Sequence, residues 1–446
     1  MHDCIFLDFG NKASQKNFES VKTKLPYANK QRFFGNFKGT LDRVLSKAKT
    51  EWCWITSSIS NYDDFDFEFE INYHQRNHLH VFPANQNKEG DTLLINVFQY
   101  LSQKDSVEWL RDFETCNYHT QKTKRIEYPI VKYSLHNVIT DLADACKKST
   151  EQYFWYVNKD CTIDPDFDFT WAPSYWEDNK IFMFDDYGDV MLVPKSVMMK
   201  ISEQMYDFDL IRKINIKAST PKPHAVIFIS YDEPSAEERF NTLKAKCPRA
   251  KWLKNIQGQT EAYHAAARLS ETDYFFAVFP KLEIVYSFNF DFQPDRLKHA
   301  CHYIFSCRNP VNGLEYGHGS VLLYNKQLTL DTHTPGLDFT LSAPHEYVPI
   351  LSAINHYNET PWLAWRTAFR EVMKLKESSD TKPTVETKYR LKIWLEKAQG
   401  KNGEWSISGA KDASNWYDKN SDKPEQLMLS YDFQWLKEYY ERKYVR

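Results

Sequence analysis

The chain has 446 residues and a formal net charge of −3 at pH 7, with 42% hydrophobic and 16% aromatic residues. This length allows two to four packed domains, and the counts of 13 Gly and 19 Pro exclude fibrous and low-complexity classes. The slightly acidic balance gives no general attraction to phosphate backbones, so a nucleic-acid partner would need a local basic surface.

The predicted elements begin with a strand, a polar loop and a helix, and this order occurs twice. The sequence IFLDFGNKASQKNFESVKTKLPYAN starts at Ile5, and IFISYDEPSAEERFNTLKAKCPRAK starts at Ile227, 222 residues later. Both contain one helical phenylalanine, paired lysines and a proline after the helix. The same offset still holds where Thr50 meets Thr272. We interpret the two stretches as copies of one duplicated unit.

A shorter signature occurs three times, starting at Lys49, Ser149 and Ser270. Each copy has an acidic lead-in, an aromatic-rich strand, a variable bend and an F-D-F or F-N-F-D-F step, and further apolar strands follow. The aspartates of these steps are predicted to be structural, because Asp commonly caps turns. They are Asp66, Asp168 and Asp291.

The stretches LDRVLSKA, NVITDLADACKK and AYHAAARL repeat apolar residues near the 3.6-residue period of a helix. Strands that alternate with helices indicate βαβ units and mainly parallel sheets, with ligands beyond the carboxyl ends of the strands. We therefore predict an α/β fold with units at 1–105, 106–220 and 221–375. A small helical C-terminal appendage is predicted at 376–446.

The third unit resembles glycosyltransferase-like proteins of tailed bacteriophages, which use the nucleotide-sugar fold called GT-A, related to the Rossmann fold. The matching pieces are FISYDEPSAEERFNTLKAKCPRAKWLKNIQG, AYHAAARLSETDYFF, RNPVNGLEYGHGSVLLY and WRTAFREVMKL. The resemblance implies tandem GT-A-like units and transfer of a sugar from a nucleotide-diphosphate donor, such as a UDP-sugar, to an acceptor hydroxyl. It also implies 5-hydroxymethylcytosine in double-stranded phage DNA as a candidate acceptor, and the cytoplasm of an infected host cell as the location.

In GT-A folds an acidic D-x-D segment ends the buried central strand and holds a divalent cation such as Mg²⁺ or Mn²⁺, which prefers oxygen ligands. The corresponding segments here contain no carboxylate in the third unit, at 279–281, or in the first, at 56–58. The second unit keeps one acid, so the resemblance makes Asn158 and Asp160 the candidate metal ligands. An ordinary strand-end turn is the alternative.

Two interpretations stay open for the third unit, where the segment reads Phe279-Pro280-Lys281. It is either a metal-independent enzyme in which Lys281 replaces the cation, as lysines do in phosphate sites, or a unit that has become structural.

Other polar residues of the third unit are candidate donor ligands by the same resemblance. Carboxylates after the first strand can accept hydrogen bonds from a ribose, or can instead cap the following helix. The loop RNPVNGLEYGHG permits close backbone approach to a ligand, with a structural turn as the alternative. The predicted donor-binding residues are Tyr231, Asp232, Glu233, Gln257, Gly258, Lys281, Arg308, Asn312, Gly317, Arg366 and Arg370.

Two residues of the same loop, Glu315 and His318, are the candidate catalytic bases, because a carboxylate or an imidazole can deprotonate an acceptor hydroxyl. Two other functions stay open. The chain is either a transferase that acts on carbohydrate or protein, or a non-catalytic binding or assembly protein built from degenerate transferase units.

No stretch approaches the roughly 18 uninterrupted apolar residues that a membrane helix needs, and the start MHDCIFLDFG lacks the basic region of a signal peptide. The eight cysteines are scattered without a CxxC pair. We expect a cytoplasmic protein with reduced thiols and no membrane partner.

Overall fold

The computed structural model is a mixed α/β protein that divides into two compact units. Unit 1 comprises Met1–Lys222 and Gln293–His299, and unit 2 comprises Pro223–Phe292 and Ala300–Arg446. The structure describes residues 2–33, 37–71, 73–83, 90–103, 115–117, 124–125, 128–171, 173, 180–198, 211–296, 298–333, 339–381 and 383–445.

The first part of unit 1 holds a six-stranded sheet in the order β2-β1-β3-β6-β5-β7. Its elements are β1 (Asp3–Asp8), α1 (Ser14–Lys24), β2 (Asn29–Arg32), α2 (Phe37–Leu45), β3 (Trp52–Ser57), β4 (Ser60–Asn61), β5 (Leu79–Pro83), β6 (Gly90–Asn96), α3 (Val97–Gln103), β7 (Thr115–Asn117) and β8 (Lys124–Arg125).

The second part of unit 1 holds a five-stranded sheet in the order β14-β12-β13-β10-β9. Its elements are β9 (Ile130–Tyr133), α4 (Val138–Lys148), β10 (Tyr153–Asn158), β11 (Cys161–Ile163), β12 (Ile181–Met183), β13 (Val190–Pro194), α5 (Lys195–Met198), β14 (Ile211–Lys213) and β15 (Ser219–Pro221).

Unit 2 holds a larger sheet in the order β17-β16-β18-β22-β20-β23-β19, and β21 pairs with β20. Its elements are β16 (Ala225–Ser230), α6 (Ala236–Lys246), β17 (Lys251–Lys254), α7 (Gln259–Leu269), β18 (Tyr274–Val278), β19 (Leu282–Ile284), β20 (His302–Arg308), β21 (Glu315–Tyr316), β22 (Leu322–Asn325), α8 (Lys326–Asp331), β23 (His345–Asn355), α9 (Pro361–Thr381), α10 (Val385–Glu396), α11 (Gly403–Asn420), α12 (Pro424–Met428) and α13 (Phe433–Tyr444).

The three large sheets share their strand order and directions. In the first, β1 is parallel to β2 and β3, β3 is antiparallel to β6, β6 is antiparallel to β5, and β5 is parallel to β7. The strands β17, β16, β18, β22, β20 and β23 repeat this arrangement. The sheet from β9 to β14 repeats it without the outermost strand.

The residue pairing between strands repeats as well. Ile5 lies opposite Asn29 in the first sheet, and Ile227 lies opposite Lys251 in the third. Both members of the second pair are displaced by 222 residues from the first, and the bounds of α1 and α6 are displaced by the same number.

The central strand of each sheet is buried along its whole length, which explains its continuous aromatic and apolar sequence. One central aromatic side chain packs against three phenylalanines in every sheet, in tilted and edge-on contacts typical of aromatic cores. The groups are Trp54 with Phe65, Phe67 and Phe82, Trp155 with Phe167, Phe169 and Phe184, and Phe276 with Phe288, Phe290 and Phe305.

These clusters fix the position of the F-x-F step. The side chains of Asp66 and Asp168 each accept a hydrogen bond from the backbone N–H two residues further on, which closes a turn. In the third sheet the same bond is made by Asn289, which accepts from the backbone N–H of Asp291. The alignment of Asp291 with the other two aspartates is therefore wrong, because Phe288 and Phe290 are the residues that pack under the central strand.

Helices α10 to α13 pack on α9 in unit 2, and their shared core contains Trp365, Trp394 and Leu436. Gly409 of α11 allows the closest approach, since a Cβ atom there would lie 2.2 Å from the backbone oxygen of Trp365. The predicted boundary at 375 falls inside α9. Within the described ranges no helix combines the length and the apolar character needed to cross a bilayer.

Candidate functional site

Polar residues of unit 2 gather at one edge of its sheet. Strands β16, β18, β20 and β23 run in the same direction, so their carboxyl ends meet there, and the antiparallel strand β22 begins there. The residues at or just after these ends include Ser230, Lys281, Arg308 and Asn355. This is the edge at which ligands of open α/β sheets bind.

Lys281 follows β18 after a Phe-Pro step, and its carbonyl accepts a hydrogen bond of 2.8 Å from the backbone N–H of His356. Lys281 as a residue is exposed to solvent. Its terminal ammonium, however, lies close to protein atoms such as those of Gly319. The resulting loss of hydration lowers the pKa of Lys281 to about 8, and the nearby charges of Arg366, Arg370 and Lys374 lower it further, against an opposite effect of Cys307. Lys281 therefore combines an exposed residue with an ammonium that is closely surrounded by protein atoms.

Arg366 and Arg370 lie one turn apart on α9, and aromatic rings flank both. The Arg366 guanidinium lies 4.8 Å from the ring centre of Phe433, and the Arg370 guanidinium lies 5.1 Å from the same ring. Rings attract a cation without neutralising it. Burial and the charge of Arg370 lower the pKa of Arg366 to about 10.

The structure thus brings together three of the predicted donor ligands and adds Lys374, which the sequence did not single out. We call Lys281, Arg366, Arg370 and Lys374 the cation cluster. Within the described part of the chain, no carboxylate lies within salt-bridge distance of Lys281 or Arg366. An arrangement of this kind attracts an anion.

The residues after β16 form a turn before α6. The Glu233 carboxylate accepts a hydrogen bond of 2.8 Å from the backbone N–H of Tyr231, so Glu233 closes this turn. Tyr231 and Asp232 are exposed beside it. The neighbouring strand adds Trp252, whose indole N–H donates to the Ser230 hydroxyl at 2.8 Å.

Gln257 and Gly258 are exposed in the segment that leads into α7. Gly258 precedes the first residue of the helix with φ of +90°, a backbone conformation that favours glycine. This conformation accounts for the glycine, and a donor contact of either residue stays a prediction.

The loop after β20 is shaped mainly by contacts within the protein. Arg308 and Glu315 form an ion pair of 2.7 Å, half exposed on the β20–β21 hairpin. The Asn312 side chain accepts a hydrogen bond from the Leu314 backbone N–H. A Cβ atom at Gly317 would lie 2.7 Å from Ile304, so this glycine is needed for packing on β20. Donor contacts of Arg308, Asn312 and Gly317 stay predictions.

His318 belongs to a buried polar network. Its Nδ1 lies 2.9 Å from the Glu371 carboxylate, which also accepts from the Tyr316 hydroxyl, and the Trp394 indole donates to that hydroxyl. Burial alone would raise the pKa of Glu371, but His318 and, less strongly, Lys374 and Tyr316 hold that pKa well below its usual range. The Nε2 of His318 is enclosed without a hydrogen-bond partner among the described residues. The network anchors the loop to α9 and α10.

Asn158 uses its side-chain amide within unit 1. Its Nδ2 donates to Asp189 at 2.6 Å and its Oδ1 accepts from the backbone N–H of Asp160. Asp189 also forms a buried ion pair of 2.9 Å with Arg296, and these two side chains are 0% and 1% exposed. The described ranges contain no cluster of three or more His, Cys, Asp or Glu side chains able to hold a metal ion. Both polar atoms of the Asn158 side chain already make hydrogen bonds within the protein, and a metal role for Asn158 and Asp160 stays a prediction.

The corresponding edge of the first sheet is filled by its own side chains. The Ser58 carbonyl accepts hydrogen bonds from the Asn11 and Asn17 amides at 3.0 and 2.7 Å, and its hydroxyl accepts from the Phe9 backbone N–H. Ser57 and Ser58 are fully buried. The buried Ser57 and Ser58 and their hydrogen bonds therefore occupy the end of the central strand β3.

No protein-family model matches the chain, and no curated protein sequence matches it. A solved structure of the mannosyltransferase PcManGT from Pyrobaculum calidifontis, in complex with GDP-Man and Mn²⁺, is similar at 10% identity and a TM-score of 0.25, over 64% of this chain and 87% of that chain. The apo-form glycosyltransferase GlyE of Streptococcus pneumoniae TIGR4 is similar at 9% identity and a TM-score of 0.19, over 57% and 74%. Similarities this distant carry no argument about activity. The fold and the site define a mixed α/β protein with a cation cluster at the ligand edge of its unit 2 sheet.

Proposed function

We propose that unit 2 binds a nucleotide-diphosphate sugar, with a UDP-sugar as the first candidate, and transfers its sugar to an acceptor hydroxyl. The cation cluster would hold the diphosphate in place of a divalent cation. The observation that carries this proposal is the charge balance: Lys281 and Arg366 lose hydration, are repelled by neighbouring cations and pair with no carboxylate among the described residues. Such crowding of like charges costs free energy, which a bound polyanion offsets.

The chemistry of the cluster suits a departing diphosphate. Negative charge grows on the phosphate oxygen as the bond to the sugar breaks, and cations already in position stabilise that charge without reorganisation. Guanidinium groups bind phosphate oxygens in pairs, while an ammonium acts as a point charge. Lys281 and Arg366 supply one group of each kind.

The first strand of the unit 2 sheet ends beside the same edge, where a base and ribose would lie. Asp232 is exposed there and its carboxylate can accept hydrogen bonds from ribose hydroxyls, while the exposed ring of Tyr231 offers a stacking surface. We include the Asp232 contact to the ribose and the Tyr231 contact to the base in the proposed donor site.

We also propose that the three sheets are copies of one GT-A-like module, at 1–105, 106–220 and 221–375, and that only the third copy binds a donor. The shared strand order, the common register and the repeated aromatic clusters support a common module. The Ser58 contacts fill the edge of the first copy. Arg296 and Asp189 occupy the edge of the second.

The proposal is tested by calorimetric titration of the whole protein with uridine and guanosine diphosphate sugars, in EDTA and in Mn²⁺. We expect one donor to bind equally well in both conditions, and Lys281→Met to weaken it about tenfold or more, since a charged hydrogen bond is lost. Lys411→Met, which removes an exposed lysine of the same unit, is the matched control. Absence of binding across the panel in both conditions would overturn the proposal.

The class of acceptor is tested separately, by measuring transfer of the sugar from the bound donor to a panel of acceptors. Duplex DNA with 5-hydroxymethylcytosine, unmodified duplex DNA, a free oligosaccharide and a peptide with hydroxyl side chains form the panel. Transfer to the hydroxymethylated duplex alone would support the DNA acceptor. Donor binding with neither transfer nor hydrolysis would favour the non-catalytic binding protein.

A further inference from the structure

We infer that His356, oriented by Glu283, is the general base that takes the proton from the acceptor hydroxyl. This inference rests on the proposed function and adds to it a catalytic site that the sequence does not reveal. The two residues are 73 positions apart and meet because β19 and β23 pair.

The pair has the geometry of an oriented imidazole. The Nε2 of His356 lies 2.7 Å from the Glu283 carboxylate. A carboxylate accepts, so this bond keeps the proton on Nε2 and leaves the lone pair on Nδ1. The Nδ1 has no hydrogen-bond partner among the described residues, and the side chain is 28% exposed. One ring nitrogen is therefore held while the other can receive a proton.

Glu283 is fixed from a second direction. Arg239 of α6 has its Nη1 3.7 Å from the same Glu283 oxygen, and Arg239 itself is 23% exposed. The carboxylate is thus placed between a guanidinium and an imidazole. Glu283 would act as a positioning residue that also stabilises the imidazolium once the proton has moved.

The position of His356 relative to the cation cluster carries the inference further. Strands β19 and β23 are antiparallel with Leu282 opposite Asn355, and the backbone N–H of His356 donates to the Lys281 carbonyl at 2.8 Å. Lys281 and His356 are therefore neighbours along the backbone of this strand pair. This arrangement joins the backbone of the inferred base to that of the lysine that would hold the leaving group.

The two bases predicted from sequence are less suited to this role. Glu315 is paired with Arg308. His318 gives its Nδ1 to Glu371 and has its Nε2 enclosed by protein. Among these imidazoles and carboxylates, His356 alone combines an orienting partner with an open nitrogen.

The step balances without any further reactant. The acceptor O–H bond gives its proton to the Nδ1 of His356, and the acceptor oxygen forms a bond to the anomeric carbon. The bond from that carbon to the diphosphate oxygen breaks, and the electron pair leaves with the nucleoside diphosphate, whose charge Lys281 and Arg366 meet. The imidazolium then releases its proton to water. Direct displacement of this kind inverts the configuration at the anomeric carbon.

The experiment compares binding and turnover in the whole protein, with the donor that calorimetry selects and water or the best acceptor as nucleophile. We expect His356→Ala to bind the donor within about twofold of the wild type, and to lose about 100-fold or more in turnover, the size of a general-base contribution. Added imidazole restores part of that turnover. Glu283→Gln keeps donor binding and loses less turnover, and Glu283→Asp recovers part of the loss.

His345→Ala is the control, because His345 is an exposed histidine at the other end of β23. It should leave both binding and turnover unchanged. Turnover of His356→Ala within about threefold of the wild type, with donor still bound, contradicts the base role and leaves the donor site standing. Retention of configuration at the anomeric carbon, or donor binding by a wild type that has no turnover, also overturns it. A wild type that binds no donor removes the proposed function itself, so the two failures are distinguishable.

Discussion

The ammonium of Lys281 lies directly against Gly319: a Cβ atom at Gly319 would be 2.8 Å from the Lys281 Nζ and 2.6 Å from the Asn355 Nδ2. Gly319 also has φ of +56°, in the left-handed region. Because Gly319 has no side chain, the Lys281 ammonium can lie against the backbone at this position.

Gly319→Ala should displace Lys281 and weaken binding of a nucleoside diphosphate about tenfold, with a strain cost of about 1 kcal/mol in the free energy of unfolding. Gly313→Ala is the control, since Gly313 has φ of +75° but no atom within 4 Å of its Cβ position. Both variants should lose similar stability in urea unfolding. Equal loss of nucleotide affinity in the two variants would contradict the role assigned to Gly319.

Lys281→Met should raise the stability of the ligand-free protein while abolishing stabilisation by a nucleoside diphosphate. The substitution removes one of several repelling charges, and because Lys281 is open to solvent we expect a gain of only about 1 kcal/mol. Thermal unfolding with and without UDP measures both effects. A destabilised ligand-free variant would mean that an anionic group within the protein already neutralises this lysine.

The lowered pKa of Lys281, about 8, predicts opposite pH trends for binding and stability. Nucleotide affinity should fall as pH rises through 8, because the ammonium loses its proton. The unfolded chain keeps that proton up to its ordinary pKa of 10.5. Unfolding therefore binds a proton between these values, and the ligand-free protein should gain stability with pH in that window. Lys281→Met removes both contributions, which pH titrations of affinity and urea stability will detect by difference.

Arg296→Met should destabilise unit 1 by about 3–5 kcal/mol, because it leaves the Asp189 carboxylate buried without its partner. Burial raises the pKa of Asp189 and Arg296 opposes that effect, so the carboxylate in the variant would take up a proton more readily. Adding Asp189→Asn to Arg296→Met should recover part of the stability. Urea unfolding of Arg296→Met, Asp189→Asn and the double variant measures this coupling, and purely additive losses would contradict it.

Much of the local structure of the chain can be predicted from the repeated pattern. The 222-residue offset between Ile5 and Ile227 reappears in strand register and helix bounds, because local propensity and burial repeat with the sequence. The F-N-F-D-F step could not be resolved in the same way. It contains two overlapping F-x-F frames, and only the packing of Phe288 and Phe290 on Phe276 selects the first.

The site could be predicted in part. Lys281 stood out because it follows a buried strand, and Arg366 and Arg370 because they lie one turn apart. His356 and Glu283 gave no such signal, since pairing of β19 with β23 is a long-range event that no local period encodes. The glycines had a visible pattern, but sequence cannot tell a glycine that admits a ligand from one that admits Ile304, as Gly317 does.

The segment Gln293–His299 has a consequence for dissecting the molecule. It belongs to unit 1 although the chain on both sides of it belongs to unit 2, so the polypeptide passes between the units three times. A single cut near residue 222 would yield an N-terminal fragment whose Asp189 lacks its guanidinium and a C-terminal fragment carrying Arg296 without a carboxylate to receive it. A shorter version that keeps this ion pair must therefore include both Asp189 and the Gln293–His299 segment.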